Sequence, residues 1–295
     1  MKNRSHVSVV LQALFVTFLW STSWVLIKIG LKNIPAVTFA GLRYTIAFLC
    51  LLPVFIVSKN FKEEIRKITQ IDLFKIFLLG ILFYFITQGS QFLGLFYLPS
   101  VTVTLMLNFT TIIVAVIGIL FLGEKPSRVQ WIGIVLFTIG AVIYFVPVSF
   151  PQSEWIGLII VLIGVLANAL SSILGRSVNK KGNLRPLTVT VLSMGTGATM
   201  LLVSGIYYQG FPVLDMNSWL IIIWLAVINT AIAFTIWNYT LRFLTAAESS
   251  IINNTMLVQI AILAWLFLGE SLNTKEIIGL LFAVCGTFAV CIKKQ

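Results

Sequence analysis

The chain is a succession of apolar blocks, each long enough to be read as a membrane-crossing helix, and this constrains its fold more than any other feature. An α-helix rises 1.5 Å per residue, so roughly 20 residues span the ~30 Å hydrocarbon core of a bilayer. Delimited by charge clusters, turn residues and prolines, the blocks fall near residues 9–29, 35–58, 72–96, 99–122, 128–147, 155–175, 186–208, 218–241, 246–268 and 274–292. The spans of a β-barrel would be ~10-residue segments of alternating polarity, and that alternation is missing. Helices are the spanning form left, because lipid offers the backbone no hydrogen-bond partners. Composition agrees: 59% of the 295 residues are hydrophobic and 10% charged, with a mean hydropathy of +1.04. Soluble domains carry about a quarter of their residues as charges. The expected fold is therefore an all-α polytopic membrane protein.

The first block follows Lys2, Arg4 and His6. It lacks the small-residue cleavage pattern of a secretory signal, so a retained first helix is expected. Cys50, Cys285 and Cys291 lie in apolar helix and have neither metal nor redox spacing.

The formal charge of +11 follows the blocks. Lys2, Arg4, Lys59, Lys62, Arg66, Lys67, Lys75, Lys125, Arg128, Arg176, Lys180, Lys181, Arg185, Arg242, Lys293 and Lys294 all fall on one side of ten alternating spans. Lys28, Lys32 and Lys275 fall on the other, and Arg43 lies inside a span. Basic loops stay cytoplasmic, so the pattern predicts a multi-pass protein of the cytoplasmic membrane with both termini in the cytoplasm. The excess charge is then an orientation signal with contact to anionic lipid, and no nucleic-acid partner is expected.

The phrase "LFLGE" occurs at 120–124 and again 146 residues later at 266–270. At the same offset Leu95 meets Leu241, Leu98 meets Leu244, Asn108 meets Asn254, Ile132-Gly133 meets Ile278-Gly279, and Gly140 meets Gly286. Near the start of each half the offset drifts to 148, which sets Lys28 on Arg176 and Ser21 to Ser23 beside Ala169 to Ser172. The chain therefore divides into two repeats, 1–147 with helices 1–5 and 148–295 with helices 6–10. Five is odd, so the second repeat enters the membrane from the opposite face. Inverted repeats of this kind are a plan of secondary transporters, with the solute site near the midplane between the halves.

With "LWSTSWVLIKIGL" at 19–31, "TFAGLRYTIAFL" at 38–49 and the paired "LFLGE" segments leading to Gly133 and Gly279, the chain resembles EamA-type members of the drug/metabolite transporter superfamily along essentially its whole length. The resemblance implies ten helices as two five-helix repeats and an alternating-access carrier, usually an exporter, of amino acids, other metabolites or drugs. Two rivals stand beside it. A lipid-linked-sugar flippase of the same fold would need a lateral groove with a longer charged lining, and an uncoupled facilitator would need no driving ion. Catalysis has no support, for no intramembrane His/Glu motif, aspartate pair or metal-ligand spacing occurs; no cofactor is expected.

Candidate solute-binding residues are those a span would not carry without a partner. If Pro35 opens its helix, Arg43 lies about 12 Å inside it, where a charge costs at least ~2.5 kcal/mol and needs a cavity or a counter-group. One reading makes it an anchor for an anionic group of the solute. The other, which the resemblance favours, ties it to helix-end carbonyls on the outer side. Tyr84, Gln88 and Gln91 share a face of helix 3 at helical spacing, and Thr104, Asn108 and Thr111 do so on helix 4. Their repeat equivalents are Thr230, Phe234 and Trp237 on helix 8, and Ser250, Asn254 and Leu257 on helix 9, so one wall is polar and the other more aromatic. Interhelical hydrogen bonding accounts for the polar residues equally well. Trp20 and Trp24, with Ser23 between them, sit at mid-depth where tryptophan is unusual, and the matching stretch of helix 6 offers the smaller, more polar Asn168, Ser171 and Ser172.

Glycine pairs seven apart, Gly133 with Gly140, Gly157 with Gly164 and Gly279 with Gly286, allow close helix approach, and helices 5 and 10 are expected to be scaffold or a dimer surface; monomer and homodimer both stand. Asp72 and Glu248 read as helix-start acids rather than proton relays, and His6 as a solvated residue. Proton coupling by another route and facilitated diffusion both stay open. Glu124 and Glu270 are expected on opposite faces, each near the positive end of the helix that follows it.

Overall fold

A computed structural model describes residues 6–58, 65–66, 68–122, 127–146, 151–180, 184–241, 243–244 and 246–291, without the side chains of 118–122, 153, 176, 179–180, 238, 246–247, 250 and 291. Every expected block is helical. The helices are α1 (His6–Gly30), α2 (Ala36–Ile56), α3 (Gln70–Tyr97), α4 (Ser100–Leu122) and α5 (Arg128–Phe145), then α6 (Gln152–Lys180), α7 (Pro186–Gln209), α8, α9 (Ala246–Leu268) and α10 (Thr274–Cys291). Helix α8 runs through Met216–Ala226, Val227–Ile232 and Ala233–Thr240. Among the described residues, nine helices are long and apolar enough to cross a membrane.

Local chemistry sets the helix starts. Ser127 accepts from the Gln130 amide while Gln130 reaches back to the Ser127 amide, a reciprocal cap on α5. Thr69 caps α3 and Asp215 caps α8, and Pro186 opens α7 with its fixed φ. At the other ends, Gly210 (φ +77°) and Gly269 (φ +68°) close α7 and α9 in the left-handed region that glycine tolerates.

Two helices contain a wider turn. In α3 the stretch Gly80–Gln88 is π-helical, and in α8 so is Val227–Ile232, at equivalent places in the two repeats. Each is braced in the same way, by a threonine hydroxyl donating five residues back: Thr87 to the Leu82 carbonyl and Thr230 to the Leu225 carbonyl, both at 2.8 Å. Such bulges rotate every following side chain relative to a regular helix.

The core is apolar and the outer surface is apolar as well. Trp155, Ile159, Leu162, Leu166 and Leu170 form an exposed apolar stripe along α6, suited to lipid. Inside, small residues let helices close on one another. The α5–α10 contact is reciprocal: a Cβ at Gly133 would stand 2.7 Å from the Gly286 carbonyl, and one at Gly279 2.7 Å from the Gly140 carbonyl. The glycine faces of α5 and α10 thus pack on each other within one chain. Helices α2 and α7 meet as closely, with Gly41 against the Leu202 backbone and Gly205 against that of Thr38. Helices α1 with α9, and α6 with α4, also join the halves, as do α3 with α6 and α7 and α1 with α8.

Hydrogen bonds sort the helix termini into two ends of the bundle. At one, which we call the Lys28 end, the Lys28 ammonium donates to the carbonyls of Leu95 (2.5 Å) and Leu98 (2.6 Å) at the close of α3. There Gln209 of α7 also accepts from the first amides of α2, and Thr102 meets the Tyr144 hydroxyl at 3.0 Å. At the other, the His6 end, His6 pairs with Glu248 at 2.9 Å, Lys75 reaches Ser177, and Gln130 reaches the Val290 carbonyl. His6 is therefore not simply solvated. Of the basic residues assigned above to one face, Lys2, Arg4, Lys59, Lys62, Lys67, Lys125, Lys181, Arg242, Lys293 and Lys294 lie outside the described residues, as does Glu124.

Candidate functional site

Helices of both halves enclose a cavity of 680 Å³. It reaches Leu241 at the close of α8 and Ser249 in the first turn of α9, so it extends to the His6 end. Toward the Lys28 end its lining stops at Trp24, Arg43, Gln91 and Thr104, at least one helical turn short of the termini.

Twelve of the thirteen candidate residues line this space: Trp20, Ser23, Trp24, Arg43, Gln88, Gln91, Asn108, Thr111, Asn168, Ser172, Trp237 and Asn254. The exception is Tyr84. It is buried against Gly197 of α7 and edge-on to Tyr44 at 5.5 Å. Its spacing to Gln88 leaves the two near one face of α3, but the Tyr84 ring is taken up by α2 and α7 and does not reach the cavity. Sequence reasoning also passed over Tyr44, Phe83, Thr110, Asn253 and Met256 as lining residues. Thr110 and Asn253 adjoin chosen polar residues, which is the signal that could have found them; Tyr44 beside Arg43 carried none.

The amides are partly spent on the helices. Asn108 donates to the Thr104 carbonyl at 2.9 Å and Asn168 to the Thr110 hydroxyl at 3.2 Å. Ser172 donates to the Asn168 carbonyl. Gln88 and Gln91, in contrast, have no hydrogen bond to the described protein and face the cavity. Trp20 stacks obliquely on Phe234 (5.3 Å) and Trp237 (5.2 Å), forming an aromatic patch between α1 and α8.

Among the described residues Arg43, 4% exposed, bonds no helix-end carbonyl; Lys28 has that role. Instead the Arg43 Nε donates to the Thr230 hydroxyl at 3.1 Å, and its guanidinium lies over the rings of Tyr44 and Phe92 at 5.2 and 6.0 Å.

Below Arg43 the cavity floor is sealed by contacts between the halves. Glu270, after Gly269 closes α9, accepts from the amides of Ser100 (2.9 Å) and Val101 (3.4 Å). It thus caps α4 of the opposite repeat rather than α10, which follows it. Lys28 holds the other side of the same α3–α4 turn. A second tie joins α1 to α9: Ser21 donates to Gln259 (2.8 Å), which donates to Thr17 (3.3 Å) and Thr255 (3.0 Å).

The sequence profile of the EamA-like transporter family matches this chain twice, over residues 7–146 and 155–292. The chain belongs to the EamA-like transporter family. Its EamA relatives include an uncharacterized transporter, YoaV, of Bacillus subtilis (strain 168), 26% identical with 96% of each chain covered. Another is an uncharacterized transporter of Archaeoglobus fulgidus, 25% identical over 96% of this chain and 98% of its own. A solved crystal structure superposes with a TM-score of 0.65 at 17% identity, covering 96% of this chain and 97% of its own, a likeness of fold alone. The EamA assignment makes this a multi-pass membrane transport protein.

Proposed function

We propose that the chain is an alternating-access carrier that exports small organic solutes across the cytoplasmic membrane, built from ten spans in two inverted repeats with both termini in the cytoplasm. The observation that carries this reading is the cavity: both halves line it, it extends to the His6 end, and it stops short of the Lys28 end. Basic residues cluster at the His6 end of the spans, and positive charge is retained in the cytoplasm, so the cavity loads from the cytoplasmic side. The partnering of helices supports a pseudo-twofold exchange of roles. The pairs α5–α10 and α2–α7 map onto themselves when the repeats are exchanged, and α1–α9 maps onto α6–α4. Two related halves can then trade conformations and open the cavity to the opposite side.

Protein purified and reconstituted in liposomes, screened against labelled amino acids, organic acids, nucleosides and cationic drugs with and without a pH gradient, tests the proposal. Saturable flux of at least one class is expected. Stimulation by the gradient identifies proton coupling, and indifference to it identifies a facilitator. No flux across the whole panel counts against a carrier.

A further inference from the structure

Among the described residues, Arg43 is the one charged side chain that lines the cavity. A buried guanidinium normally finds a carboxylate, yet among the described residues Arg43 has no ion pair. Its Nε is occupied by Thr230, whose own hydroxyl donates to the Leu225 carbonyl and so turns a lone pair toward the arginine. The rings of Tyr44 and Phe92 hold the guanidinium plane. The two terminal nitrogens are left without a protein acceptor among the described residues, on a side chain that lines the cavity. The result is an oriented two-pronged donor in a space whose described lining contains no compensating charge.

Such a fork matches a carboxylate in geometry as well as sign. One positive charge balances one negative charge, and a dianion would remain under-neutralised in a low-dielectric site. The patch of Trp20, Phe234 and Trp237 in the same cavity suits a flat apolar body. We propose that this cavity selects amphipathic organic monoanions, with the carboxylate on the terminal nitrogens of Arg43, the apolar body on the aromatic patch, and Thr230 as the residue that positions the guanidinium. This rests on the carrier reading and narrows it to one class of solute.

Three probes with the same phenyl body separate the charges: 3-phenylpropionate, phenylalanine and 2-phenylethylamine. Binding to the purified protein is read by quenching of tryptophan fluorescence, and flux is read in proteoliposomes. The anion should bind about tenfold or more tightly than the amine, with the zwitterion between them. Arg43→Gln should weaken the anion roughly 10- to 100-fold, as expected for loss of a charge-assisted pair, without weakening the amine. Arg43→Lys should keep the order of preference at several-fold lower affinity. Thr230→Val should weaken the anion several-fold and Thr230→Ser restore it, a rescue that would not follow from loss of packing alone. Equal or better binding of the amine overturns the inference, as does undiminished anion affinity in a monodisperse Arg43→Gln protein. If Arg43→Gln does not fold, the three probes on the wild type and the Thr230 pair decide. Flux of other solutes with none of these three overturns the inference and leaves the carrier standing; absence of all flux overturns both.

Discussion

Replacing Glu270 by glutamine removes a negative charge from the start of α4 while leaving an oxygen in place to accept a hydrogen bond. In the structure the carboxylate receives the Ser100 amide at 2.9 Å and the Val101 amide at 3.4 Å, and it is half-buried. Hydrogen bonds to charged groups contribute about 1.5–3 kcal/mol, of which glutamine keeps roughly half. Loss of the charge at a helix N-terminus adds about 0.3–1 kcal/mol. The contact at 3.4 Å is weak, so the substitution should destabilise the sealed floor by about 1–2 kcal/mol, a factor of roughly 5–30 in a two-state ratio. If the floor opens during transport, the minor state open at the Lys28 end should rise by that factor.

The assay places a cysteine at Ser23, a buried cavity-lining position, in a background without Cys50, Cys285 and Cys291. An impermeant thiol reagent added from the Lys28 side should label Glu270→Gln about 5–30 times faster than the parent, while labelling from the His6 side slows or stays level. An unchanged rate from the Lys28 side, in protein that is folded and labelled normally from the His6 side, would refute the view that Glu270 holds the floor shut.

Further outcomes follow from the packing and the caps. Gly140→Ala places a Cβ 2.5 Å from backbone atoms of Ala283 and Gly279, neither of which can yield without moving α10, so a loss of about 1–3 kcal/mol and a lower Tm in detergent are expected. Gln259→Leu removes the polar tie between α1 and α9 and should lower stability by about 0.5–1.5 kcal/mol, as measured by unfolding in mixed micelles. The Ser218 hydroxyl and amide hold the carboxyl of Asp215 below the usual carboxylate range. The folded-state value is the depressed one, so the stability contributed is present above the ordinary carboxylate range and is lost as pH falls through the depressed value. The Tm gap between wild type and Asp215→Ala should therefore narrow in acid and hold steady at neutral pH.

Much of the site could be read from residue type because a span penalises polarity. Gln88, Gln91, Asn108, Asn168 and Asn254 were conspicuous against their apolar surroundings, and all line the cavity. Trp20 and Trp24 stood out by depth, since tryptophan prefers the interface. Tyr84 went astray for a definite reason. A spacing of four shares a face in either helical form, but α3 turns Tyr84 onto α2 and α7, where it packs against Gly197 and edge-on to Tyr44. No residue between Gly80 and Gln88 advertises that contact, because it is made with α7 across the chain, where a Cβ at Gly80 would stand 2.6 Å from the Ser193 carbonyl.

The sequence by itself determined the helical elements, the repeat and the family, because each is written in local terms: block length, caps, glycine closures and residues recurring at a constant offset. Only the tertiary structure decided which helix each polar residue would serve. Glu270 lies next in the chain to α10 yet caps α4, 170 residues away in sequence. Lys28 takes the helix-end carbonyls that Arg43 was a candidate for, and Arg43 instead meets Thr230 at a separation of 187 residues. Periodicity records how a helix faces relative to itself. Which surface it meets depends on glycine contacts that set helix distances to a few tenths of an ångström, and on hydrogen bonds that close only once the two halves are together.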